Sequence, residues 1–239
     1  ERRDIPHHML DVLAVDQDAT VARFQEQARS LISDIHQRGK TAIIVGGTGL
    51  YIKAVLDDLN FPDTDPEVRK KLEEIGSELG ADYLFRMLQE KDPAAAIAID
   101  RANIRRVIRA LEVIEITGEP FTAQLPREES SRYPDALQFG LVMEREHLRE
   151  RIDQRVDRMW DAGLVDEVDR LIESGIRKGT TAQRALGYAQ ILAMRDGMMT
   201  ENDAKEETKR ATRQYARRQE TWFSRDMRIT WIAWHQPRL

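Results

Sequence analysis

The chain has 239 residues, 41% hydrophobic and 33% charged, with 37 lysines and arginines against 42 aspartates and glutamates for a net charge of -5. That length can bury one large core, or a core with a small appended unit, while the composition excludes a disordered chain and no apolar run approaches membrane-spanning length. The absence of cysteine removes disulfides, zinc-thiolate sites and thiol nucleophiles together, and the acidic balance confines any nucleic-acid binding to local basic patches.

The N-terminal run Glu1 to Pro6 has no apolar signal core, and with no cysteine a reducing cytoplasm is the expected location. Thr20 can cap a helix whose apolar positions Val21, Phe24, Ala28, Leu31, Ile32 and Ile35 keep helical period, ending near Gly39. The β-branched run Ala42-Ile43-Ile44-Val45, closed by Gly46-Gly47, predicts a short strand buried on both faces. A helix followed by a buried strand points to an α/β domain. After the break Phe61-Pro62-Asp63-Thr64-Asp65-Pro66 come helical patterns with no strand until Leu137, so a helical insertion is expected over 62–135. Leu137 to Met143 predicts a second buried strand. Leu148, Ile152, Val156 and Met159 then mark an amphipathic helix, more helices run to Phe223, and Ile229 to Ala233 is a last strand. The core would thus comprise 1–61 and 136–239.

Gly39-Lys40-Thr41 imitates the end of a Walker A phosphate loop. That loop needs a glycine where this chain has Asp34, and it follows a strand and opens a helix, whereas this triplet closes a helix. Gly46-Gly47-Thr48-Gly49 does follow a predicted strand, but Ile52 breaks the dinucleotide fingerprint. From spacing alone it is equally a tight turn of any α/β protein or a loop whose missing side chains admit a substrate beside the Thr48 hydroxyl.

Arg101, Arg105 and Arg109 recur at i, i+4, i+8 on the helix whose buried stripe is Ile104, Val107, Ile108 and Leu111. Arg210, Arg213 and Arg217, with Arg218 adjacent, form a second stripe before Trp222. Two arginine faces in an acidic protein suit a polyanion. Each taken singly also reads as a solvated face balanced by acids such as Glu206, Glu207 and Glu220. Arg184, beside Gly187, could clamp a phosphate. His7 and His8 lie in no cluster of metal-ligand spacing, and no metal site is expected of the residues themselves. No Ser/His/Asp set or H-E-x-x-H motif is present, and no catalytic carboxylate stands out.

Consecutive blocks of the chain resemble the tRNA dimethylallyltransferase family over nearly its whole length. They are Ile5-Pro6-His7-His8-Met9-Leu10-Asp11, Val45 to Ala54, Asp65-Pro66-Glu67-Val68-Arg69, Asp92-Pro93-Ala94-Ala95-Ala96, Arg109-Ala110-Leu111-Glu112-Val113, Ala185-Leu186-Gly187-Tyr188 and Thr212 to Phe223. The resemblance implies an α/β fold with a P-loop-type parallel-sheet core and a helical insertion domain. A tRNA anticodon stem-loop would be gripped between the two, with Mg²⁺ assisting. The exocyclic amine of a flipped adenosine would attack dimethylallyl diphosphate and displace pyrophosphate. Carried over by position, Thr48 is the catalytic candidate facing the adenine. Arg69, Arg105, Arg106 and Arg109 would meet tRNA from the insertion, Arg213, Gln214, Arg217 and Arg218 from the core, and Arg184 would bind the diphosphate. A monomer is expected.

The family opens with a Walker A loop and an aspartate acting as general base. This chain begins downstream of both, so an upstream segment is expected, and the 239 residues alone are expected to be incomplete for catalysis. Two alternatives remain: an adenylate isopentenyltransferase, which would not need the arginine-bearing insertion, and a non-catalytic tRNA-binding fragment.

Overall fold

A computed structural model describes residues 5–124 and 131–235. The chain divides into two compact units, one of Glu1–Ile52 with Asp135–Leu239, the other of Lys53–Pro134.

In the first unit, α1 (Val21–Gln37) starts where expected, the Thr20 hydroxyl accepting from the Arg23 N–H. Its Phe24 ring lies 4.7 Å from that of Tyr51, in α2 (Gly49–Leu56). The predicted strand at Ala42–Val45 does not form, and Ile43 and Val45 are exposed. A strand exists only through ladder hydrogen bonds to a neighbour, and the two strands described pair with each other. They are β1 (Gln138–Val142) and β2 (Ile229–Ala233), parallel, with Gln138 opposite Ile229 and Val142 opposite Ala233. The expectation that Leu137 to Met143 is buried is also corrected. Phe139 is 60% and Leu141 74% exposed, because a parallel strand is buried only where other layers cover both faces.

The crossover between the strands is helical: α7 (Arg145–Asp161), α8 (Leu164–Glu173), α9 (Tyr188–Arg195) and α10 (Glu201–Phe223), with a short 3₁₀ turn at Ala182–Arg184. Leu164, Val168, Ile176, Ile191 and Leu192 form its buried core. α7 and α10 are joined by a ladder of charge: Arg213 to Asp153 at 2.5 Å, Lys209 and Lys205 to Asp157 at 2.9 and 3.0 Å. The Lys209 and Lys205 ammonium donors hold the Asp157 carboxyl below its ordinary pKa.

The second unit, as far as described, is helical: α3 (Pro66–Leu79), α4 (Ala81–Lys91), α5 (Pro93–Ala98) and α6 (Ile104–Thr117). Asp65 caps α3 through the Glu67 and Val68 N–H groups, Asn103 caps α6, and Gly118 closes α6 at φ +72°, which a residue with a Cβ adopts only with strain. α6 is central. Val107, Ile108, Ala110 and Leu111 pack with Leu72, Leu84 and Leu88, each large side chain contributing roughly 1.5–3 kcal/mol of transfer free energy. Asp92 caps α5 and also accepts from the Thr122 N–H and hydroxyl. Burial pushes its carboxyl pKa up, but the hydrogen bonds from Thr122 and Ala95 outweigh that and hold it low.

Candidate active site

The loop 46–49 sits against α10. The Tyr215 hydroxyl and the Gln219 amide both donate to the Gly47 carbonyl, at 3.2 and 3.0 Å, and the Thr48 hydroxyl lies 3.0 Å from the Tyr215 hydroxyl. A threonine just before a helix commonly caps it with its side chain; here the hydroxyl turns to Tyr215 and the backbone carbonyl of Thr48 accepts from Tyr51 and Ile52. At Gly49 an added Cβ would lie 2.1 Å from the Trp222 ring, so only glycine permits this approach. Tyr215, Gln219 and Trp222 stand at i, i+4, i+7, one face of α10.

The other faces of α10 divide the predicted arginine stripe. Arg213 is engaged by Asp153 and Arg210 by Glu207 at 2.6 Å. Gln214, Arg217 and Arg218 are exposed, and the Arg218 guanidinium lies 5.6 Å from the centre of the Tyr215 ring, a cation–π contact. Thus the residue that reaches Thr48 also touches an exposed cation.

Arg184 is exposed at the end of the 3₁₀ turn. The segment leading to it is anchored by Asp18, which accepts from the Thr180 N–H at 2.6 Å and hydroxyl at 2.9 Å. Those bonds, the backbone one first, hold the Asp18 carboxyl below its ordinary pKa. An added Cβ at Gly179 would approach the Asp16 backbone to 2.9 Å. Beyond it, Tyr188 donates a short hydrogen bond to Glu167, and burial together with that acid pushes the phenol up to about 12.

In the helical unit the expected stripe splits. Arg105 and Arg106 are exposed, and Arg101 pairs with Asp82 at 2.6 Å. Arg109 is not on the solvated face that its spacing predicts. Its guanidinium is half-buried, donating to Glu112 at 2.8 Å and to the carbonyls of Pro62 and Asp63 at 2.7 and 3.3 Å. Arg69 donates to the same carboxylate at 2.6 Å. Glu112 is fully buried, so the cost of desolvating its charge draws both cations inward.

The family model described as IPP transferase matches residues 1–226. The chain belongs to the IPP transferase family. A tRNA dimethylallyltransferase of Thermobifida fusca is 56% identical over 239 residues, all of this chain and 74% of its own length. Another from Paenarthrobacter aurescens is 54% identical, again over the whole chain and 76% of its own length. Among solved structures, a tRNA isopentenylpyrophosphate transferase from Bacillus halodurans aligns with a TM-score of 0.65 at 39% identity, over 97% of this chain and 72% of that one. A eukaryotic dimethylallyltransferase acting on tRNA aligns with a TM-score of 0.80 at 27% identity, over 98% of this chain and 61% of the other. These place the helix-rich chain and its parallel strands in the P-loop-type α/β fold of the family.

In this member of the IPP transferase family, the roles of Tyr215, Gln219 and Trp222 as holders of the loop, and of Glu112 as the anchor of two arginines, emerge only in the structure. Signals existed: an uncharged stripe at helical spacing in an otherwise charged helix, and an acid flanked by Leu111 and Val113 in a buried run. His7 and His8 are exposed, and between them and the first helix Met9 and Asp11 take left-handed backbone conformations at φ +62° and +55°. Among the described residues no group of three His, Cys, Asp or Glu side chains could hold a metal ion, so the magnesium implied by the family is assigned no cage here. No described helix is long and apolar enough to cross a membrane.

Proposed function

We propose that the chain is the greater part of an enzyme that transfers a dimethylallyl group from dimethylallyl diphosphate to the exocyclic amine of an adenosine beside a tRNA anticodon. The amine nitrogen forms a bond to the first carbon of the donor, the carbon–oxygen bond breaks, pyrophosphate leaves with that electron pair, and the amine loses a proton to a base. The observation that carries this reading is the glycine-rich loop held on α10 with an exposed Thr48 hydroxyl, flanked on the same helix by exposed Gln214, Arg217 and Arg218. An enzyme modifying RNA needs a small open loop for the reacting base and fixed cations for phosphates, which position without reading sequence. Thr48 faces the adenine. Gln214, Arg217 and Arg218 contact tRNA, as do Arg105 and Arg106 of the helical unit. Arg69, Arg109 and Arg213, whose guanidiniums are engaged by Glu112 and Asp153, act by holding those helices in place. Magnesium would neutralise charge on the departing diphosphate, with no described residue assigned to hold it.

Arg184, exposed on an anchored turn, binds the diphosphate. In the full-length enzyme Arg184→Ala is expected to raise the KM for the prenyl diphosphate about tenfold or more while that for tRNA stays within twofold, one charge-assisted contact being worth about 1.5–3 kcal/mol. Steady-state transfer of labelled donor to tRNA measures both. Donor kinetics at the wild-type value with weakened tRNA binding would move Arg184 to the other substrate, and no transfer to any tRNA by the unaltered enzyme would overturn the activity itself.

A further inference from the structure

We propose that Tyr215 is a positioning residue that orients the Thr48 hydroxyl so that it accepts a hydrogen bond from the incoming base, making the site select an amine over a carbonyl at that position. The inference rests on the reading that Thr48 faces the adenine, and it adds the residue that decides what Thr48 can recognise.

A hydroxyl donates once and accepts through its lone pairs, so it can greet either a donor or an acceptor unless its own proton is committed. The Tyr215 hydroxyl is 3.2 Å from the Gly47 carbonyl and 3.0 Å from the Thr48 hydroxyl. The carbonyl can only accept. Both contacts are therefore hydrogen bonds together in one arrangement: Tyr215 donates to Gly47, and Thr48 donates to Tyr215. The Gln219 amide, donating to the same carbonyl at 3.0 Å, uses its second lone pair and holds it in place. Thr48 is left with lone pairs directed away from Tyr215 on an exposed side chain. Such an oxygen accepts from the N–H of an exocyclic amine and repels a carbonyl oxygen. Tyr215 is itself held by the Arg218 guanidinium on its ring, which leaves the phenol's polar end free for this chain of bonds.

The test uses the full-length enzyme and three synthetic anticodon stem-loops that differ only at the target position: adenosine, inosine with a carbonyl in place of the amine, and purine riboside with neither. Dissociation constants are measured for the unaltered enzyme, Tyr215→Phe, Thr48→Val and Thr48→Ser, each first shown to unfold cooperatively at the unaltered temperature. Phenylalanine keeps the ring under Arg218 and frees the Thr48 proton to donate. A neutral hydrogen bond corresponds to about a 2- to 12-fold change in binding. Tyr215→Phe is thus expected to shrink the adenosine-to-inosine ratio by about 2- to 12-fold, chiefly by tighter inosine binding, while Thr48→Ser keeps the wild-type ratio. Comparing ratios across variants cancels whatever else distinguishes the three loops. A merely structural role for Tyr215 would scale all three affinities alike and overturn the inference. If Thr48→Val also leaves the ratio unchanged, the placement of Thr48 beside the base fails. If Thr48→Val shrinks the ratio and Tyr215→Phe does not, only the orienting role fails.

Discussion

Glutamine at position 112 would keep the side chain's size and remove its charge, so Glu112→Gln isolates what the buried carboxylate does. One oxygen accepts from Arg69 at 2.6 Å and Arg109 at 2.8 Å, the other from the Asp65 N–H at 3.1 Å, and the side chain is wholly enclosed. Two charge-assisted bonds at about 1.5–3 kcal/mol each would sum to roughly 3–6 kcal/mol. The cations, however, are 41% and 26% exposed and recover hydration when their partner is neutralised, so the expected loss is about 2–3 kcal/mol. Urea unfolding of the full-length enzyme, compared at equal m-value, measures it. Arg109→Ala should cost a comparable amount by leaving a buried carboxylate short of a partner, and it also releases the Pro62 and Asp63 carbonyls that hold the segment entering α3. Arg105→Ala, on the exposed face of the same helix, should cost less than about 0.5 kcal/mol. A Glu112→Gln enzyme within about 1 kcal/mol of the unaltered one would show that the carboxylate is no anchor, and that Arg69 and Arg109 are free for another partner.

Replacing Arg105 and Arg106 together by alanine should leave stability unchanged and reduce the slope of log affinity for tRNA against log salt by roughly one to two units; an unchanged slope would make that face a solvated one. Gly49→Ala drives a methyl group into the Trp222 ring, and overpacking of this kind costs about 1–3 kcal/mol. The transferase rate should fall at least tenfold because the loop must lift from α10, and full activity would show that the contact is dispensable. Asp92 has a folded-state pKa below its unfolded value, so it binds fewer protons when folded and contributes stability that is present above pH ~4 and lost as pH falls through the folded value. Chemical denaturation from pH 5 down to 2, with Asp92→Asn as comparison, should show a shallower acid loss in the variant; parallel curves would contradict the assignment.

The features legible from sequence alone are those decided within a few residues. Thr20 caps α1 as expected, through an N–H group three residues on, because unsatisfied backbone groups at helix ends are local problems with local solutions; the structure adds Asp65, Asn103 and Gly118 as caps of the same local kind. The order of the motif blocks likewise carried the family. What only the tertiary structure decided concerns partners far apart along the chain. Whether Ala42–Val45 is a strand depends on a ladder neighbour that its own β-propensity cannot supply. Whether an arginine faces solvent depends on acids elsewhere: 43 residues separate Arg69 from Glu112, and 60 separate Arg213 from Asp153. The bond between Thr48 and Tyr215 spans 167 residues. Helical spacing puts side chains on a face, but the charge a buried carboxylate must neutralise, and the proton a neighbouring phenol leaves uncommitted, are settled only when the helices pack.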